Sequence, residues 1–189
     1  MLHAGKKAIR ALGMAESFRP SASKSALAGV VMRTDLVVDG FVLGSATVGG
    51  EDATGSLLRM YRRLRRLDLN LILVSGGVIS RYNVVDVDEL ARKSGVPVVC
   101  LTYNESRGVI EDAIRRRFPE ADAAARIERY KKLGGRHSVR LRTGHRVYVR
   151  TSGIGEGEAK KVLDAFTLQG GVPEPVRLAR LLARSASTR

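Results

Sequence analysis

The sequence predicts an α/β fold on a mixed sheet, with antiparallel strands first, parallel strands after them, and helices on both faces. Three observations carry this. Residues 8–48 hold three β-rich segments separated by short turns, with no helical stripe between them. Two later apolar runs, 69–74 and 96–102, each follow a segment with helical spacing of its apolar residues, a pattern that implies parallel pairing through right-handed crossovers. The final third then returns to paired strands, at 138–142 and 145–150, before two closing helices.

Taken in order, 8–14 reads as a strand, a Ser- and Pro-rich loop follows at 19–25, and 26–33 is the second strand. Thr34-Asp35 turns the chain into a third, Val-rich strand at 36–48. Gly40 and Gly44 inside it signal a bulge or a close backbone approach. Gly49-Gly50 ends this meander. The helix expected over 52–67 carries Leu57, Met60, Tyr61, Leu64 and Leu67 as one apolar stripe, with Arg59, Arg62, Arg63 and Arg66 on its other faces. Asp52 stands where an N-cap carboxylate would meet the positive end of the helix dipole. The run at 69–74 is too short for a helix and suits a strand buried on both faces. A helix at 87–94, stopped by Gly95, leads to the strand at 96–102. Helices are expected at 108–118, 121–133, 156–168 and 176–183, with residues 1–184 as one domain and 185–189 as a disordered tail. A meander, a helix and then β-α-β is the strand order of the ribonuclease H-like fold.

With 189 residues, 44% of them apolar, the chain can bury a real core without disulfide or metal staples. The apolar runs are too short to span a bilayer, and no secretory signal is legible at the N-terminus, so a cytoplasmic protein is expected. The one cysteine, Cys100, excludes a disulfide framework and reads as a buried core residue. His3, His137 and His145 have no metal-ligand spacing. Charge is the unusual property: 33 Lys and Arg against 19 Asp and Glu give +14. Twelve basic and three acidic residues fall between positions 115 and 150 alone. Such an excess points to a polyanionic partner, nucleic acid first and an anionic membrane surface second. An Arg-rich solvated surface, as in a thermophile, is the third reading.

Several strings resemble the archaeal endonuclease dU family, relatives of endonuclease V. Ile9-Arg10-Ala11-Leu12-Gly13 and Gly29-Val30-Val31-Met32-Arg33 match its first two strands. Glu51-Asp52-Ala53-Thr54 matches its acidic entry into the first helix, Tyr82-Asn83-Val84-Val85-Asp86 an aromatic-Asn-Val-Val-Asp segment, and Val172-Pro173-Glu174-Pro175-Val176-Arg177 its closing segment. The resemblance implies a ribonuclease H-like nuclease domain acting on DNA with a deaminated, deoxyuridine-type base. It also implies carboxylates from separate segments converging on one sheet edge. There two Mg²⁺ ions roughly 4 Å apart would activate water and stabilise the leaving oxygen.

The chain departs from that pattern at the acids. Where the family carries Gly-Ile-Asp-Asp this sequence reads Gly13-Met14-Ala15-Glu16, and where it carries Leu-Asp-Gly the sequence reads Val74-Ser75-Gly76. Glu16, Glu51 and Asp52 are the acids left for catalysis, with Glu51 and Asp52 as metal ligands. Asp52 also suits a helix cap, and the two uses can coexist. Ser75-Gly76-Gly77 could turn backbone N–H groups towards a phosphate. Arg81, Tyr82 and Asn83 lie beyond the carboxyl end of a strand, where open α/β sheets bind ligands. Arg81 would contact phosphate, Tyr82 would stack on or wedge a base, and Asn83 would read a base edge. Arg115, Arg116 and Arg117 complete the expected nucleic-acid-binding set. Two functions stay open: an endonuclease V-like DNA repair enzyme, and a nucleic-acid-binding protein of the same fold without metal catalysis.

Overall fold

A computed structural model describes residues 9–105 and 110–187. Strands β1 (Arg10–Ser17), β2 (Lys24–Arg33) and β3 (Val38–Thr47) form the expected meander, and α1 (Ala53–Arg63) follows. Next come β4 (Leu71–Ser75), two short strands β5 (Val78–Ile79) and β6 (Asn83–Val84), α2 (Val87–Ser94) and β7 (Val98–Thr102). The chain continues through α3 (Ile110–Arg117), α4 (Glu120–Lys132), β8 (His137–Arg140), β9 (Arg146–Ser152), α5 (Glu156–Phe166) and α6 (Glu174–Ser187). The main sheet has the order β3-β2-β1-β4-β7-β9-β8. β4 lies parallel to both β1 and β7, and every other neighbouring pair in it is antiparallel. This is the mixed, ribonuclease H-like sheet that the element order predicts, widened by the C-terminal hairpin, which adds to it through β9.

The central strands are apolar on both sides because helices cover both sides. Leu12, Met14, Ile72, Val74, Val98 and Cys100 pack with α1 and α2 in one buried layer. Ala11, Leu71, Leu73, Val99 and Leu101 point the other way, towards Ala159, Val162, Leu163 and Phe166 of α5 and Val176 of α6. Each large side chain so buried contributes about 1.5–3 kcal/mol of hydrophobic stabilisation. Cys100 is a buried core residue, with burial pushing its thiol up to about 12.

Two expectations change, the end of the first helix and the end of the last. The first helix ends at Arg63, with Arg65 in the left-handed region, and Leu67 is fully exposed instead of extending the stripe. α6 runs on to Ser187, so residues 185–187 are helical where a disordered tail was expected, and 188–189 lie outside the described residues. The helix expected from 108 is described only from Ile110. The β5–β6 pair, too short to carry a periodic signal, had no sequence expectation.

α6 reaches β1 at a site prepared by one glycine. A Cβ at Gly13 would lie 2.3 Å from the Pro175 carbonyl carbon and 2.6 Å from the Val176 nitrogen. Any side chain there would push the start of α6 off the sheet, so Gly13 sets how closely the C-terminal helix approaches the ends of β1 and β4.

Candidate functional site

The carboxyl ends of β1, β4 and β7 form one edge, and register decides which side chains share a face there. Met14 pairs with Val74, and both point into the α1 layer. The next residues along, Ala15 and Ser75, therefore stand side by side towards α6. These are the positions at which the resemblance expects two carboxylates, and the topology does bring them together. What they meet is different. Ala15 packs against Ala179 of α6. Ser75 Oγ accepts two hydrogen bonds from Arg180, at 3.1 Å from Nε and 2.8 Å from Nη2. The Arg180 guanidinium also lies 4.3 Å from the centroid of the Tyr103 ring, a cation–π contact. Burial pushes the Tyr103 phenol up to about 12, against a smaller opposite pull from Arg180. Its hydroxyl is buried near Ser75 without a hydrogen bond of ordinary geometry. Among the described residues no carboxylate pairs with Arg180, and the nearby Glu174 is held by Arg177 at 2.7 Å.

A two-metal cradle does not fit this edge. It offers a methyl group and a hydroxyl already engaged by a cation, whereas Mg²⁺ needs several charged or carbonyl oxygens. Among the described residues no group of three or more His, Cys, Asp or Glu side chains is placed to hold a metal ion.

The three acids expected to carry catalysis are each engaged by separate partners. Glu16 lies one residue beyond Ala15 and points to the opposite face, where it accepts hydrogen bonds from Ser80 N at 2.7 Å and Ser80 Oγ at 2.5 Å. Glu51 is bound by Arg129 at 2.6 Å, with Arg126 at 3.8 Å, and the Arg129 hydrogen bond holds its carboxyl below the usual range. Asp52 occupies the N-cap position of α1 but makes no side-chain cap hydrogen bond. Its carboxylate instead accepts from Thr47 N at 2.9 Å, Thr47 Oγ1 at 2.9 Å and Asn83 Nδ2 at 2.8 Å. Burial alone would raise its pKa, but these hydrogen bonds outweigh burial and lower it. Glu51 and Asp52 do line a cleft of about 1010 Å³, with Asp86 nearby and Arg129, Lys132 and Arg150 among its basic residues.

The segment 80–84 is likewise structural in most of its side chains. Asn83 is fully buried; its amide donates to Thr47 O and Asp52 and its carbonyl accepts from Ala53 N at 2.9 Å, so it cannot read a base. Tyr82 is half-buried and packs edge-on against Phe118 with ring centroids 5.9 Å apart, in a cluster with Ile114. Arg81 remains exposed, 5.8 Å over the Phe18 ring. Ser80, Arg81 and Tyr82 all have positive φ, at 46°, 55° and 68°. Left-handed backbone costs roughly 1–2 kcal/mol per non-glycine residue, and the Glu16–Ser80 and Ser80–Gly49 contacts hold it in place. The Gly76 N–H is not available to a phosphate either, since it donates to Leu101 O at 2.8 Å.

The basic surface is accessible. Arg115, Arg116 and Arg117 are exposed at the end of α3. Arg140 and Arg146 are exposed and stand directly opposite each other across β8 and β9. A like-charged cross-strand pair destabilises a sheet unless an anion neutralises it. Arg136 adds a guanidinium 5.2 Å over the Tyr148 ring.

Arg180 and Tyr103 were missed by reasoning from sequence. Arg180 follows the buried Ala179 on an amphipathic helix, a position that reads as the rim of a stripe, and nothing local says which strand ends that rim overhangs.

Comparison with known proteins places these observations. Residues 7–187 match the family model described as Endonuclease dU. A UPF0215 protein of Pyrobaculum calidifontis is 37% identical over 172 residues, covering 91% of this chain and 93% of that protein. A crystal structure of an Archaeoglobus fulgidus protein of unknown function is 28% identical, with a TM-score of 0.79 and coverage of 94% of this chain and 98% of the other. Endonuclease V of Ciona intestinalis, solved with a DNA containing inosine, is 12% identical with a TM-score of 0.64, covering 96% of this chain and 87% of its own, a likeness of fold.

Proposed function

This chain belongs to the endonuclease dU family, and from that premise we propose that it is a nucleic-acid-binding protein of the ribonuclease H-like fold that does not use Mg²⁺-assisted hydrolysis. The observation that carries the reading is the Arg180 guanidinium on Ser75, a fixed positive charge at the strand edge where the resemblance expects metal-binding carboxylates. The +14 charge and the exposed arginines of α3 support a polyanion as the partner. DNA with a deaminated base is the ligand class in keeping with the family's description and with the inosine-containing DNA bound by the Ciona endonuclease V.

The test pairs binding with cleavage on uracil-containing, hypoxanthine-containing and unmodified DNA. The expected result is affinity whose logarithm falls linearly with the logarithm of salt concentration, a shallower slope after charge reversal of Arg115, Arg116 and Arg117, and no nicking with Mg²⁺ or Mn²⁺. Metal-dependent nicking by the unaltered chain that is lost in Glu51→Gln would overturn the reading in favour of a rearranged hydrolytic site.

A further inference from the structure

Building on the binding function proposed above, we infer that Arg180 is the resident cation of this edge: it holds a backbone phosphate of the bound nucleic acid, and binding there needs no divalent metal. Four features of the structure converge on it. The guanidinium is fixed by two hydrogen bonds to Ser75 and by the Tyr103 ring, so it is oriented before any ligand arrives. Among the described residues it has no carboxylate partner, while Arg10, Arg66, Arg126, Arg129 and Arg177 each have one. A half-buried guanidinium lacking an anion is electrostatically incomplete, and phosphate oxygens match its planar donors.

Tyr103 supplies the third feature, because its buried hydroxyl sits beside Ser75 without a hydrogen bond of ordinary geometry, and a phosphate oxygen would supply a better acceptor. Ala15 supplies the fourth. Its methyl group leaves the neighbouring strand end uncharged, so no carboxylate there repels a phosphate. In a two-metal nuclease, acids recruit cations and the cations recruit the phosphodiester. Here a covalently tethered cation takes the second of those roles, and among the described residues no carboxylate stands at this edge to perform the first.

The experiment measures binding of fluorescein-labelled single- and double-stranded DNA by fluorescence anisotropy, in EDTA and in Mg²⁺, with melting temperature as the check on folding. The unaltered chain should bind equally in both. Arg180→Gln should weaken binding about tenfold and reduce the salt slope by about one, whereas Arg180→Lys, which keeps the charge, should retain the slope. Ser75→Asp sets a carboxylate against the guanidinium and tests the same charge without emptying the site. It should weaken binding while leaving the melting temperature unchanged or higher, and should show no heat of Mn²⁺ binding. Folded Arg180→Gln with unaltered affinity, a strict Mg²⁺ requirement for binding, or Mn²⁺ saturation of Ser75→Asp would each overturn this inference while leaving the nucleic-acid reading intact. No binding by the unaltered chain at low salt would overturn both.

Discussion

Asp52 shows how one carboxylate can look catalytic and be structural. It receives three hydrogen bonds, from Thr47 N, Thr47 Oγ1 and Asn83 Nδ2, and thereby ties the end of β3 to the start of α1 and to β6. Asp52→Asn would turn an NH₂ group towards at least one of those donors. The expected cost is about 1 kcal/mol of unfolding free energy, the low end of the range for a stranded hydrogen-bonding group, because Asp52 is half-buried. Glu51 is partly exposed and bound mainly by the exposed Arg129, so Glu51→Gln should change stability by less than that. Urea unfolding of the two variants checks the difference. Equal, small effects would show that Asp52 is not the structural tie described here. For the same reason, loss of activity in Asp52→Asn could not by itself mark a metal ligand, whereas Glu51→Gln is a clean probe.

At the scale of elements, α6 carries the functional residue and Gly13 sets where it lies. The helix packs Val176, Ala179 and Ala183 against β1 and its neighbours, all fully buried. A methyl group at position 13 would collide with the backbone of Pro175 and Val176, which cannot move aside as a side-chain tip can. Gly13→Ala should therefore cost about 1–3 kcal/mol, as overpacking does. It should also loosen the Arg180–Ser75 contact, about one turn further along the same helix. Denaturant unfolding reads the first effect, and amide exchange along α6 and at Ser75 reads the second. Unchanged stability would show that the helix start is not held as closely as the geometry states. The left-handed turn at Ser80–Tyr82 is the contrasting case, where backbone strain is balanced by hydrogen bonds from distant elements and no side chain reaches out except Arg81.

Across the whole molecule, the large positive charge makes the paired carboxylates matter. Far from Arg180, at the start of β1, Asp39 and Asp68 share Arg10 and Arg66, with contacts of 2.6–3.2 Å. The Arg66 hydrogen bond holds Asp68 down to about 2, and Arg66 with Arg10 lowers Asp39. A carboxylate with a lower pKa in the folded chain than in the unfolded one stabilises the fold above the unfolded value, near 3.9. That contribution fades as pH falls from about 4 towards about 2, while protonation elsewhere adds to the self-repulsion of a chain at +14. The melting temperature should therefore drop steeply across that window, and Asp68→Asn should flatten the drop. A melting temperature independent of pH between 4 and 2 would show that the cluster contributes nothing.

The sequence by itself determined the strand and helix order, the two-sided burial of the central strands, the basic surface and the family, because each follows from local periodicity, composition or contiguous motifs. It also located the two substituted positions, since Ala15 and Ser75 stand out within otherwise matching strings. Tertiary structure alone decided what those positions mean. Arg180 lies 105 residues from Ser75 in the chain, and only the docking of α6 across β1 and β4 puts its guanidinium on that hydroxyl. The fates of Asp52 and Asn83 were equally hidden. A carboxylate at a helix start reads as a cap or a ligand and an amide in a loop as a turn or a base reader, and it took the approach of β3, α1 and β6 to make them one hydrogen-bonded knot. Side-chain chemistry is written locally, but a charge or a donor acquires its role from the partners that long-range packing brings within about 3 Å, and no local pattern encodes those partners.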